Sequence, residues 1–328
     1  MKRLWIVLAL LIVAAMPGCS KSDPNKYVIA VIPKGTTHEF WKSIHAGAIK
    51  AERELNGKGV RVSVIWKGPL REDDRELQIQ VVEGFLSQQV SGIVLAPLDD
   101  KALVRPVEEA KRASIPTVII DSALDSPDIL SFVATDNLKG GALAADRLGS
   151  LLGGKGKVLL LRYQEGSAST EDRENGFLRR LKANYPGIEV VSGDQYAGPT
   201  RDTAYRASQN LLNRYAGEIQ GVFTPNESST AGMLIALQDI NKAGQIKHVG
   251  FDATAAFVTA MRNKQLDGFV VQDPFKMGYL GVETIVDSLR GKPVEKRVDT
   301  GVYMITPDNM DSPEMNTVLN PPLDQYLK

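Results

Sequence analysis

The chain has 328 residues, of which 43% are hydrophobic and 24% charged, so it is longer than one hydrophobic core usually serves. Its 39 basic and 39 acidic residues balance. Without Lys2 and Arg3 the formal charge is 37 − 39 = −2, which argues against a nucleic acid or an anionic membrane bound by bulk charge. The single cysteine, Cys19, excludes intrachain disulfides, cysteine-based zinc sites and catalysis by a cysteine–histidine pair.

The first 18 residues have the layout of an export signal. Lys2 and Arg3 precede an apolar stretch over residues 4–15 that is too short to be a secure membrane span. The next four residues, 16–19, resemble a bacterial lipobox and predict lipid attachment at Cys19, with residues 19–26 as a polar tether. A plain secretory signal cleaved nearby is the alternative. Both interpretations export the protein.

The first predicted structural unit is a strand, a helix and a second strand. Residues 27–32 form an apolar, β-branched run, and an amphipathic helix should follow the breaker segment 33–37. Thr36 and Glu39 have capping-box spacing, so the helix is expected to start there. Ligands bind beyond the carboxyl ends of parallel strands, which places His38, Phe40 and Trp41 at such a position. Adjacent helical residues point about 100° apart, so at most one of the two aromatic residues can lie centrally on the core face.

The same alternation of strands and helices continues along the chain. Further strand–helix steps lead to a strand that ends at Asp121, and the pattern restarts near residues 131–133. Pro274 opens a last long helix that reaches residue 290. Strands that alternate with helices form parallel sheets with helices on both faces. The sequence therefore predicts an α/β fold made of two doubly wound parallel-sheet lobes.

Polar side chains follow several of these strands, with two aromatic residues beside the first. The polar residues are His38, Asp121, Asn226, Asp252 and Gln272, and the aromatic ones are Phe40 and Trp41. Such a set suits a polyhydroxyl ligand, because hydroxyl pairs accept bidentate hydrogen bonds and the C–H face of a sugar packs on an aromatic ring. Asp and Asn after a strand also commonly cap the next helix. For Asn226, capping and ligand contact can coexist.

From about Tyr27 to Tyr303 these residues stand in short motifs in a definite order. The motifs are Phe40-Trp41, Ile119-Ile120-Asp121, Thr135-Asp136-Asn137, Asp172 to Phe177 around Arg173, Phe223 to Asn226, Val249 to Asp252, and Val271-Gln272. In this order and spacing the chain resembles the periplasmic sugar-binding proteins of ABC importers related to ribose-binding protein. That group shares its fold, periplasmic binding protein-like I, with the sensor domains of lactose-repressor-type regulators.

The resemblance implies two lobes joined by a three-crossing hinge, with the ligand between them. The crossings are expected near residues 135–136, 272–273 and 300–301. The N-terminal lobe would comprise residues 27–135 plus 273–300, and the C-terminal lobe residues 136–272 plus 301–328. The closed shape would be recognised by the permease.

The resemblance also implies roles for individual residues. Phe40 and Trp41 would stack on the sugar, and its hydroxyls would be bound by Asp121, Arg173, Asn226, Asp252 and Gln272. Arg173 has the alternative of a solvated charge on an exposed helix. Tyr196 is the candidate for an aromatic residue from the second lobe.

The chain departs from the family at several of these positions. His38 stands where Asn is frequent, Ser122 where Arg is frequent, and Glu227 where Asp is frequent. Trp66 and the acidic cluster of residues 72–74 have no counterpart in the family pattern.

The predicted function is capture of a pentose, hexose or polyol outside the cytoplasm and its delivery to the membrane subunits of an ABC permease, by a monomeric lipoprotein. A sensor that presents its sugar to a chemoreceptor or histidine kinase is the alternative, and an exported glycosidase using Asp121 and Asp252 is more remote. No cofactor is expected, because the first strand–helix turn lacks the glycine pattern of a dinucleotide site. No metal is expected either, since no carboxylate spacing completes a site around His38, His45 or His248.

Overall fold

The computed structural model describes residues 26–327, and the predicted signal peptide and Cys19 lie outside them. The strands are β1 Lys26–Ile32, β2 Arg61–Trp66, β3 Gly92–Leu95, β4 Thr117–Ile120, β5 Ser131–Ala134, β6 Lys155–Arg162, β7 Gly187–Tyr196, β8 Gly221–Phe223, β9 Lys247–Phe251, β10 Gly268–Gln272, β11 Arg297–Asp299 and β12 Val302–Ile305. The helices are α1 Glu39–Gly57, α2 Arg75–Ser87, α3 Val104–Arg112, α4 Asn137–Leu151, α5 Ala168–Asn184, α6 Arg201–Tyr215, α7 Glu227–Asp239, α8 Ala255–Arg262, α9 Pro274–Leu289, α10 Pro313–Leu319 and α11 Leu323–Tyr326.

These strands form two six-stranded sheets, one in each lobe. The first has the order β11-β5-β4-β3-β1-β2, and all its neighbours are parallel. The second has the order β12-β10-β9-β8-β6-β7, and only its edge strand β12 is antiparallel. All residues of β3 and β4 are buried, because helices cover both faces of a parallel sheet. The predicted fold class is confirmed.

The chain passes between the two sheets at three places. These connections are residues 135–136 between β5 and α4, Asp273 between β10 and α9, and residues 300–301 between β11 and β12. The first and third are joined, since Thr135 Oγ1 lies 3.3 Å from Thr300 Oγ1 and donates to the carbonyl of Gly301 at 3.0 Å. The carboxyl ends of both sheets therefore face a common cleft beside this hinge.

The C-terminal segment does not stay with the second lobe, to which residues 301–328 were assigned. Helix α10 packs there through Met315, but α11 returns to α1 of the first lobe. Arg53 Nη1 donates to the carbonyl of Gln325 at 2.7 Å, and the ring of Tyr326 lies 5.7 Å from that of Phe275. The segment thus bridges the lobes a fourth time, because its last aromatic residue packs on the first lobe.

Among residues 26–327 no helix is both long and apolar enough to cross a bilayer.

Candidate functional site

The amino end of α1 supplies the first wall of the cleft. The helix starts at Glu39, and His38 occupies the N-cap position without a capping hydrogen bond from its side chain. The expected capping box between Thr36 and Glu39 is therefore absent. The imidazole turns toward the cleft instead, where its Nδ1 lies 2.7 Å from Oε1 of Glu72.

Glu72 is the centre of a buried polar cluster that draws on both lobes. Its Oε1 also accepts from the indole of Trp41 at 2.8 Å, and its Oε2 accepts from the hydroxyl of Tyr163, in the second lobe, at 2.7 Å. Burial raises the pKa of Glu72, but the charges of His38 and Lys34 and the hydrogen bonds lower it to about 2. Burial lowers the pKa of His38, but the charge and hydrogen bond of Glu72 raise it to about 9. The pair is thus ionised at neutral pH.

The two adjacent aromatic residues of α1 have different environments, because one helix face cannot direct both rings into the core. Trp41 is buried in the core of the first lobe, while Phe40 is half-buried and packs on that core from outside. Their rings meet edge to face with centroids 4.9 Å apart. Both rings also line the cleft, where an aromatic surface can pack on an apolar ligand face.

Lys34 is a site residue that the sequence reasoning missed. It follows β1, its side chain is 3% exposed, and its Nζ lies 3.1 Å from Oδ2 of Asp121. The same ammonium donates across the cleft to the hydroxyls of Ser167 and Ser169 at 3.2 and 3.1 Å. Its position in the sequence could have identified it, because a lysine just beyond a buried strand lies where ligands bind in parallel sheets.

Arg173 lies at the middle of the second lobe's wall and is 2% exposed, which excludes a solvated charge. Its Nε donates to Asn137 Oδ1 at 2.8 Å, and its Nη1 donates to the carbonyl of Pro225 at 3.0 Å. The guanidinium lies 3.9 Å from the ring centroid of Phe251, within cation–π range. Its buried Nη2 has no hydrogen-bond partner.

Asp252 and Gln272 form the part of the wall beside the hinge. Gln272 Nε2 donates to Oδ1 of Asp252 at 2.8 Å, and Oδ2 accepts from the backbone N–H of Glu227 at 2.9 Å. Burial raises the pKa of Asp252, and although Arg173 and Gln272 oppose this, the result is about 6. The other side-chain oxygen of Gln272, Oε1, is buried without a partner.

Asn226 both caps a helix and lines the cleft, as its sequence context allowed. It forms a capping box with Ser229 at the start of α7 and also lines the cleft. The next residue, Glu227, joins the lobes, because its Oε2 accepts from the backbone N–H of Phe40 at 3.3 Å. Its Oε1 accepts from Arg201 at 2.7 Å.

Two carboxylates of the cleft have strained backbones. Asp121 after β4 has φ +62° and Asp252 after β9 has φ +67°, in the left-handed region that residues other than glycine rarely occupy. Such strain is concentrated at ligand-binding and catalytic positions. Each lobe thus presents one aspartate in the same unusual conformation, and Arg173 approaches both, at 3.9 Å and 4.0 Å.

The structure brings together all but one of the binding residues expected from the sequence. One interlobe cavity is lined by His38, Phe40, Trp41, Asp121, Arg173, Asn226, Asp252 and Gln272. Tyr196 is not among its lining residues; it is 48% exposed at the end of β7. The aromatic residue that the second lobe contributes is Tyr163, directly after β6. The lining is completed by Lys34, Glu72, Ser167, Ser169, Thr170 and Glu227.

This lining is suited to a neutral ligand with many hydroxyl groups. Carboxylates from both lobes would oppose an anion, and Lys34 with Arg173 would oppose a cation. Within residues 26–327 no group of three or more histidine, cysteine or carboxylate side chains is placed to hold a metal ion. The arrangement can therefore bind and orient hydroxyl groups through paired donors and acceptors.

Comparison with known proteins yields a family model and several similar structures. Residues 29–293 match the model of a periplasmic binding protein domain. The chain is 27% identical to a ribose import binding protein of Bacillus subtilis over 318 residues, which cover 93% of this chain and 99% of that protein. A carbohydrate transporter solute-binding protein from Agrobacterium radiobacter, in complex with D-arabinose, is 33% identical with a TM-score of 0.85, and the match covers 91% of this chain and 100% of that one. An ABC transporter solute-binding protein from Agrobacterium vitis with bound D-fucose is 35% identical with a TM-score of 0.83, covering 89% and 99%.

Proposed function

The chain belongs to the periplasmic binding protein domain family, and from that premise we propose that it captures a sugar between its lobes and delivers it to an ABC permease. The family consists of substrate-binding proteins of transport systems and not of enzymes. The family places the protein outside the cytoplasm. We further propose that lipid on Cys19 anchors it to the membrane.

One observation carries the sugar assignment. Arg173 Nη2 is a buried donor without a partner and Gln272 Oε1 a buried acceptor without one, and both side chains line the same cavity. An unpaired buried polar group costs about 1–3 kcal/mol, so native proteins rarely keep one without a reason. A hydroxyl group both accepts and donates, and a polyhydroxyl ligand satisfies the two groups together.

The remaining residues have distinct roles in this proposal. Phe40 and Trp41 contact the apolar face of the ring. The hydroxyls are bound by Lys34, Asp121, Arg173, Asn226, Asp252 and Gln272. His38 acts through Glu72, because the ionised pair holds the indole N–H of Trp41 and so sets the plane of that ring. Tyr163 takes the place for which Tyr196 was a candidate.

The experiment is thermal unfolding of protein produced without residues 1–19. The panel contains D-arabinose, D-fucose, D-ribose, D-allose, xylitol and myo-inositol. Binding to the folded state alone stabilises by RT ln(1 + [L]/Kd), about 4 kcal/mol at a thousandfold excess over Kd, so a true ligand gives a clear upward shift. No shift with any pentose, hexose, polyol or cyclitol would overturn the assignment.

The variant Arg173→Lys tests the role of this arginine in sugar binding. Lysine keeps the charge but loses the planar fork that bonds Asn137 and Pro225 and presents Nη2 to the cavity. We expect at least tenfold weaker sugar binding by calorimetric titration. The control is Arg180→Lys on the same helix, where the guanidinium pairs with Asp146 at the surface. Equal affinities for the two variants would remove Arg173 from the site.

A further inference from the structure

A second and much larger cavity lies beside the sugar cleft. Its volume is about 490 Å³, against about 30 Å³ in the cleft itself. It is bounded by the amino end of α1 in the first lobe and by α8 in the second. Its outer wall comes from the C-terminal segment between Met310 and Leu323. A volume of this size lies within the range of about 300–1,000 Å³ typical of small-molecule sites.

The two cavities share part of their lining. Phe40, Asp252 and Gln272 line both. These residues include the half-buried aromatic ring and the glutamine whose buried Oε1 has no partner. A ligand held in the cleft therefore has the larger cavity directly beyond these three side chains.

The lining of the larger cavity has a definite chemistry. Hydroxyl and carboxamide groups come from Ser43, Thr254, Asn316 and Asn320, and aliphatic side chains come from Val258 and Leu319. Among the described residues of this lining the one cation is Arg262, and it is already paired with Asp311 at 2.7 Å. Glu39 adds a further carboxylate. This mixture favours a neutral group with polar and apolar faces, and the excess of carboxylates disfavours a phosphate.

Direct contact between the lobes does not fill this cavity. The loop of residues 163–169 in the second lobe makes hydrogen bonds to Lys34, Glu72, Arg75 and Asp100 of the first. None of these residues lines the larger cavity. Phe40, which does line it, contacts the second lobe through its backbone N–H to Glu227, so its ring remains in the cavity wall. Its outer wall also lies beyond residue 293, where the match to the family model ends. The space thus persists between lobes that are already in contact, and it is walled partly by chain outside the matched domain.

We propose that this cavity is a second compartment of the ligand site, which receives a neutral substituent carried by the bound sugar. The ligand class is then a glycoside or disaccharide, with one ring in the cleft and the attached group between α1, α8 and the C-terminal segment. This inference rests on the proposed sugar-binding function.

The test compares each aldose of the panel, namely D-arabinose, D-fucose, D-ribose and D-allose, with its derivatives by calorimetric titration. The derivatives are the α- and β-methyl and phenyl glycosides, compounds extended by the same groups at O4, and the 1-phosphate. We expect at least one phenyl derivative to bind ten times more tightly than its parent sugar, and the phosphate to bind more weakly. If parent sugars bind and every extended derivative binds at least tenfold more weakly, the second compartment is overturned while the proposed function stands. If neither parents nor derivatives bind, the proposed function itself fails.

A pair of variants locates the substituent. Asn316 lines the cavity from α10, and Thr317 is its exposed neighbour, which does not. Asn316→Trp should fill the compartment and abolish the tenfold gain of the phenyl derivative while leaving the parent sugar's affinity unchanged. Thr317→Trp should change neither affinity. An extended derivative that binds well but is insensitive to Asn316→Trp places its substituent elsewhere and overturns the inference.

Discussion

Three consecutive acidic residues have three different roles. Glu72 is buried and paired with His38, Asp73 pairs with Arg71 at the surface, and Asp74 caps α2 by accepting from the backbone N–H of Leu77 at 2.9 Å. Only the first lines the cleft. The role of each of these carboxylates therefore depends on the group that it pairs with and not on its residue type.

The first prediction concerns the pH dependence of His38→Gln. The folded-state pKa of His38 is raised from 6.5 to about 9, so its ion pair contributes fully below pH 6.5 and is lost as pH rises through 9. The shift corresponds to about 3 kcal/mol. The loss of unfolding free energy caused by the substitution should therefore be larger at pH 6 than at pH 10 by about this amount, measured by urea unfolding.

His45→Gln is the control for this prediction. Burial lowers the pKa of His45, so its protonated form is disfavoured in the folded state and its contribution does not fall as pH rises. An equal effect of His38→Gln at both pH values would contradict the ionised pair.

At the scale of elements, the loop between β6 and α5 holds the lobes together. Other residues of this loop bond side chains of the first lobe. In addition, the carbonyl of Gly166 accepts from the backbone N–H of Asp100 at 3.0 Å. Gly166 has φ +85°, and a β-carbon there would lie 2.4 Å from Oδ2 of Asp99. Asp99 cannot easily move, since its Oδ1 accepts from the N–H groups of Lys101 and Ala102. Close approach of the lobes at this point requires glycine.

The second prediction follows for Gly166→Ala. The added methyl should hold the lobes apart and weaken sugar binding by tenfold or more, because binding then has to overcome the clash with Asp99. Small-angle scattering of the sugar-saturated protein should show a larger radius of gyration.

Gly59→Ala is the matched control, since Gly59 has φ +79° with no atom within 4 Å of an added β-carbon. Both variants carry the strain of a positive φ, but only the first blocks closure. Equal sugar affinities for the two would show that the loop does not contribute to closure.

At the scale of the molecule, the site exists only where the lobes meet. Asp121 comes from the first lobe and Asp252 from the second, and Arg173 lies within 4.0 Å of both. The C-terminal segment spans the same boundary and ends on α1. The cleft and the C-terminal segment therefore lie at the same boundary between the lobes.

The third prediction concerns Cys19→Ser in the full chain. Loss of the thiol removes the proposed point of lipid attachment, so the protein should move from the membrane fraction to the soluble extracytoplasmic fraction and lose palmitate label. Its sugar-induced thermal shift should not change. A wild-type chain that incorporates no palmitate would contradict the anchor and favour a plain secretory signal.

Local sequence patterns were sufficient for the architecture and for most of the cleft. Hydrophobic periodicity sets strands and helices over a few residues, and parallel strands bring their carboxyl ends to one edge, so Asp121, Asn226 and Asp252 could be located in advance. The order of the motifs identified the family. The strands, helices and strand-end positions depend on short-range patterns that each segment carries by itself, whereas the family follows from the order of those segments along the chain.

Only the tertiary structure decided which side chains meet across the cleft. Tyr163 bonds Glu72 across 91 positions, and Lys34 bonds Ser167 across 133. Tyr196 projects to solvent instead, and α11 returns to the first lobe. The physical reason is that a buried polar group takes whichever partner the packed lobes bring within hydrogen-bond distance, and no local pattern records that choice.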